Sequence, residues 1–135
     1  MTPLAGCSIP PSLLAWTGGA PKIGGSLALT LGGPQAAGVF PFLGIATQPI
    51  AGVPPCGLVL PPFGEILIDV FPPNPVLVLP GPPSTGAATA FALPVPAQPA
   101  LLGAFFYGQG LYADALGLSA EPFRLSNGVE IGVGL

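Results

Sequence analysis

The chain predicts an all-β fold, an antiparallel β-sandwich of about eight short strands joined by Pro/Gly-rich loops, and three observations carry that expectation. Apolar residues recur with period two in short runs, turn residues punctuate those runs roughly every 12 residues, and no segment of about ten residues or more holds a helical period. Gly and Pro number 21 each among 135 residues, a level typical of low complexity. Half of the residues are hydrophobic, however, and disordered chains are poor in such residues, so the chain reads as folded and dense in loops. Its length suits one domain, 1–135, with residues 1–16 as a Pro-interrupted N-terminal arm free to be exchanged with a neighbour.

The elements follow in order. Residues 26–31, Ser-Leu-Ala-Leu-Thr-Leu, place three leucines on one face and small or polar residues on the other, the mark of a half-buried strand, and Gly32-Gly33-Pro34 ends it. Residues 39–45 read as the next strand, with Pro41 confining it to an edge or a bulge. In 65–70, Ile66, Ile68 and Val70 alternate with Glu65, Leu67 and Asp69, and 76–79 is a short apolar run between prolines. Residues 88–93 alternate Thr89, Phe91 and Leu93 against three alanines. Pro94-Val95-Pro96 cannot continue a ladder, and 100–103 has room only for a helical turn. The most aromatic run, 105–113, is another strand, and Ser126-Asn127-Gly128 before 129–133 signals a last hairpin. The expected core is Leu27, Leu29, Leu31, Ile66, Ile68, Phe91 and Leu93.

Ionisable chemistry is scarce: five carboxylates, two basic residues, no histidine and a net charge of -3. Without histidine no Ser-His-Asp arrangement can be built around Ser8, Ser84 or Ser126. The remaining base for a Ser-Lys dyad, Lys22, lies between Pro21 and Ile23 and reads as a solvated loop lysine. Glu65 and Asp69, four residues apart on a strand, are about 13 Å apart, beyond the roughly 5 to 9.5 Å of glycosidase carboxylate pairs, and read as residues that keep an outer face wet. Asp114, Glu121 and Asn127 offer oxygen atoms for Ca²⁺, but their spacing matches no EF-hand or repeat, so no cofactor or metal is expected. The chain is therefore read as not an enzyme. So few cations leave no stripe for phosphates, which argues against nucleic acid. Pro or Gly interrupts every apolar run before the roughly 20 residues of a membrane-spanning helix.

Cys7 and Cys56 lack zinc-site spacing. They are either two buried thiols or, the preferred reading, one disulfide, which would place the protein outside the cytosol and stabilise it by roughly 4 kcal/mol through a loop of about 50 residues. Residues 1–7 have neither the basic nor the apolar region of a secretory signal, so an exported form is expected to be a mature one.

The order Gly6-Cys7, residues 20–31, Pro55-Cys56-Gly57-Leu58, Leu93-Pro94-Val95-Pro96, residues 102–110 and Leu125-Ser126-Asn127-Gly128-Val129 resembles uncharacterised modules near the C-termini of secreted bacterial proteins. The resemblance covers nearly the whole chain and implies a β-sandwich, export and a Cys7 to Cys56 bridge, with no catalytic residue. The chain departs from that pattern in its proline-rich stretch from 54 to 99.

Charged residues make up only 5% of the chain, against about 25% in ordinary soluble domains. A surface built of Ala, Gly, Pro, Val and Leu favours burial against neighbours. The functional expectation is a non-catalytic, secreted structural module that self-associates as a homo-oligomer or homopolymer at the cell surface or outside the cell. The alternative is a glycan-binding module, in which Trp16, Tyr107 and Tyr112 stack on sugar rings and Gln109 and Asp114 add hydrogen bonds. On a strand, Tyr107 and Gln109 share a face that Tyr112 does not.

Overall fold

The computed structural model describes residues 2–4, 6, 10, 12–16, 21–32, 39–50, 57–60, 64–114 and 123–134. Its strands are β1 (Thr2–Leu4), β2 (Leu13–Trp16), β3 (Ser26–Gly32), β4 (Phe40–Ala46), β5 (Leu58–Leu60), β6 (Gly64–Ile66), β7 (Val76–Pro80), β8 (Thr89–Pro94), β9 (Phe105–Ala113) and β10 (Phe123–Gly132). A five-stranded sheet in the order β1-β10-β9-β4-β7 faces a three-stranded sheet in the order β2-β3-β8, and β5 and β6 form a separate hairpin. Every strand pair is antiparallel. A 3₁₀ turn, Pro99–Leu101, is the helical turn expected between β8 and β9.

The two sheets close on one apolar core. Leu27, Leu29 and Leu31 of β3, Leu14 of β2 and Phe91 of β8 meet Leu43 and Ile45 of β4, Tyr112 of β9 and Val129 and Ile131 of β10. Period-two patterning thus places the leucine face of β3 where expected, with Ile68 also buried and Leu93 packed at the margin. Gly110, on the inward face of β9, makes this approach possible: a Cβ there would lie 2.5 Å from Leu31 Cδ1. The Tyr112 hydroxyl, buried in the same layer, donates to the Leu31 carbonyl at 2.6 Å. A buried phenol needs such a partner.

Five local expectations are corrected. Pro41 sits in β4, an interior strand between β9 and β7, rather than at an edge or bulge. Its carbonyl accepts from Gly81 N–H, so its missing donor is on the β7 side at the point where the pairing with β7 ends, Phe42 with Pro80, and the ladder with β9 is left intact. Ser126-Asn127 is a bulge within one long strand rather than a hairpin turn: the register of β10 on β9 shifts between Leu125 and Gly128. Asn127 bonds both backbone groups of Leu14, accepting from its N–H at 2.7 Å and donating to its carbonyl at 2.9 Å, which ties β10 to β2 across the two sheets.

Residues 65–70 form no single strand: β6 ends at Ile66, Ile68 bridges Pro49, and Ile66, expected in the core, is only half-buried. Glu65, expected on a wet face, is 4% exposed. The reason is a third layer. Gln109 points away from the inter-sheet core, and its side chain grips the β6 segment, so β5 and β6 cover the outer face of the five-stranded sheet.

The N-terminal arm contributes to both sheets of its own chain, β1 pairing with β10 and β2 with β3. Both strands lie at sheet edges on the side closed by Asn127. Among the described residues, the opposite edges, β7 and β8, have one strand neighbour each.

Candidate functional site

At one pole of the sandwich β4 and β10 finish, β7 and β9 begin, and in the facing sheet β3 begins as β8 finishes. The two sheets do not meet there. Between them lies a pocket of about 510 Å³, walled by Leu27, Ile45, Leu93, Val95, Phe106 and Ile131 among others. Proline explains the opening: Pro94 and Pro96 stop β8, and Pro75 precedes β7, so neither strand extends over the gap. The loop from 95 to 104 is held at its rim by Gly24 N–H to Val95 C=O and Val95 N–H to Gly25 C=O, both 2.9 Å, and by Gly103 N–H to Val133 C=O at 3.0 Å. Among the described residues that line it, only Thr47 and Gln98 have polar side chains, and none is charged. The whole segment between Asp69 and Asp114, which includes β7, β8 and β9, carries no charged residue.

The residues nominated for ligand contact are not brought together. Trp16 lies on the inward face of β2 and packs against the core. Tyr107 is half-buried on β9 with its side chain on the face opposite the inter-sheet core, the face that Gln109 shares. Gln109 and Tyr112 are 4% and 2% exposed, and their polar atoms serve the protein's own backbone. Burial thus takes Gln109 and Tyr112 from the surface, and Trp16 and Tyr107 lie on different faces of the sandwich.

Gln109 is instead a structural clamp. Its Oε1 accepts from Leu67 N–H at 2.9 Å, and its Nε2 donates to the carbonyls of Glu65 at 2.6 Å and Ser126 at 2.8 Å. Ser126 Oγ accepts from Gly110 N–H at 2.8 Å and donates to Asn127 C=O at 2.7 Å. Asp69 closes a turn by accepting from Phe71 N–H at 3.1 Å and Asn74 Nδ2 at 2.6 Å. Of the Ca²⁺ candidates, Asn127 is engaged with Leu14, Asp114 is half-buried, and Glu121 lies outside the described residues. No cluster of three His, Cys, Asp or Glu side chains occurs among the described residues.

Cys7 and Cys56 also lie outside the described residues. Their sequence neighbours Gly6 and Gly57 do not, and both abut the Glu65 carboxylate: Gly57 N–H donates to Oε2, and a Cβ on Gly6 would overlap Oε1.

The pocket itself was not expected from the sequence, where Leu27 and Leu93 were read as core and Pro94-Val95-Pro96 as a strand stop. The signals that pointed there were the charge-free segment and the Pro-Val-Pro stop after β8. The chain matches no protein-family model, and no curated protein or solved structure is significantly similar to it.

Proposed function

We propose that this protein is a non-catalytic, exported structural module that self-associates, and that copies meet at the β7 edge. The observation that carries this reading is an unprotected edge strand. β7 closes one side of the five-stranded sheet, exposes Val76, Leu77 and Val78 at 37%, 47% and 55%, and has no charged residue on it or on β8 and β9. Protein edges are ordinarily blunted by lysine, by inward charges or by a covering loop, because alternate N–H and C=O groups of an edge strand point outward unpaired. Among the described residues, Pro75 before β7 and Pro80 at its end are the protection seen, which limits any added ladder to the residues between them. Antiparallel pairing of β7 with β7 of a second copy would satisfy those groups and cover the apolar side chains around a two-fold axis.

Export is proposed from the sparse charge, from the resemblance to modules of secreted bacterial proteins, and from a Cys7 to Cys56 disulfide. The meeting of Gly6 and Gly57 at Glu65 supports that disulfide, because each is one residue, about 3.8 Å of backbone, from its cysteine.

The test is Val78→Lys. The position is exposed, so the fold should change by no more than about 0.5 kcal/mol, while a charge on the shared edge opposes pairing. Light scattering of wild type and variant at matched concentrations should show a larger particle for wild type. Equal sizes at every concentration would remove the β7 interface.

A further inference from the structure

We propose that the pole pocket binds a neutral, apolar small molecule: a lipid-like alcohol or a hydrocarbon. Its volume of about 510 Å³ lies inside the roughly 300 to 1,000 Å³ typical of small-molecule sites. Leu27, Ile45 and Ile131 belong both to the core cluster and to the pocket wall, so the pocket is the unfilled end of the core itself. An occupant there touches both sheets at once. Polarity sets its class. A carboxylate or ammonium ion would lose its water without gaining a charged partner, since no described lining residue is charged. A sugar has several hydroxyls for two polar side chains, Thr47 and Gln98, and a peptide adds an N–H and a carbonyl with nearly every residue. An uncharged chain or ring leaves nothing unpaired. Apolar cavities of this kind hold water poorly and take up hydrocarbons.

The pocket shares Val76 and Leu77 with the proposed β7 interface, whereas Val78 is not among its lining residues, so Val78→Lys perturbs the interface without adding a charge to the pocket wall. The probe is N-phenylnaphthylamine, an uncharged dye that brightens in apolar sites, titrated into the protein and then displaced by decanol or by ionised decanoate. Saturable binding at one site per chain is expected, with decanol displacing the dye at concentrations lower than decanoate by about tenfold or more. Leu101→Asp places a charge at the rim on a 3₁₀ turn that has no buried residue, and should weaken dye binding by about tenfold while the urea midpoint stays close to wild type. Gln98→Glu, isosteric and exposed, should act in the same direction and covers the case in which Leu101→Asp fails to fold. Val78→Lys should leave the affinity unchanged. Non-saturable binding, equal displacement by decanoate, or loss of binding in Val78→Lys but not in the rim variants would overturn the proposal. Release of dye as protein concentration rises would also overturn it, by showing that a second copy fills the pocket.

Discussion

Replacing Gln109 by leucine should be among the most damaging single changes in the chain. The side chain is 4% exposed, and its three bonds reach Leu67 N–H, Glu65 C=O and Ser126 C=O. Leucine keeps much of the volume but leaves one donor and two acceptors of the backbone without partners. Each orphaned buried group costs roughly 1 to 3 kcal/mol. The gain from burying an apolar side chain offsets part of that, and the three groups share one site, so a net loss of about 3 to 5 kcal/mol is expected, at the upper end of single substitutions. Urea unfolding read by circular dichroism supplies the midpoint and its slope. Amide hydrogen exchange adds a local check, since Leu67 N–H loses the Gln109 acceptor and should exchange faster than the β9 ladder. A loss under about 1 kcal/mol with Leu67 still protected would refute the clamp and, with it, the account of how the β5–β6 hairpin is held on the outer face.

Three further outcomes are expected. Leu29→Ala, at a site 1% exposed in the leucine face of β3, should cost about 2 to 5 kcal/mol in urea unfolding, and a loss below about 0.5 kcal/mol would place that face wrongly. Asn127→Ala should cost about 2 to 4 kcal/mol, because both backbone groups of the buried Leu14 lose their partner, with increased exchange at Leu14 N–H as the local sign. Intact mass of unfolded protein, alkylated with and without prior reduction, should show alkylation at Cys7 and Cys56 only after reduction; two freely alkylating thiols would remove the disulfide and weaken the case for export.

How far these features were legible in the sequence depends on the range of the interactions that decide them. Alternation along β3 and the aromatic run of β9 sufficed to place those strands, because each is set by which face meets the core. Ser126-Asn127-Gly128 misled, since Asn-Gly favours a hairpin turn locally, whereas here the Asn127 amide finds the Leu14 backbone from a strand 113 residues away. Glu65 misled for a similar reason. A carboxylate in a short alternating strand belongs on the wet side unless a further layer supplies donors, and that layer depends on Gln109 and Gly57. Pro41 was read from its missing donor alone, which matters only if a neighbouring strand reaches that point. The pocket was the least legible, because it arises where the ends of several strands converge. Only the proline stops and the absence of charge left a trace of it in the sequence.

Sedimentation velocity of the wild-type protein from low to high micromolar concentration, at low and high salt and alongside Val78→Lys and Leu13→Lys, tests the central claim of self-association most directly. Leu13 is 59% exposed on β2, at the sandwich edge remote from β7, so it controls for added charge as such. The account predicts a wild-type particle that grows with concentration, persists at high salt because apolar contacts are not screened, and is lost in Val78→Lys but retained in Leu13→Lys. A wild-type chain that stays monomeric across the whole range would contradict it.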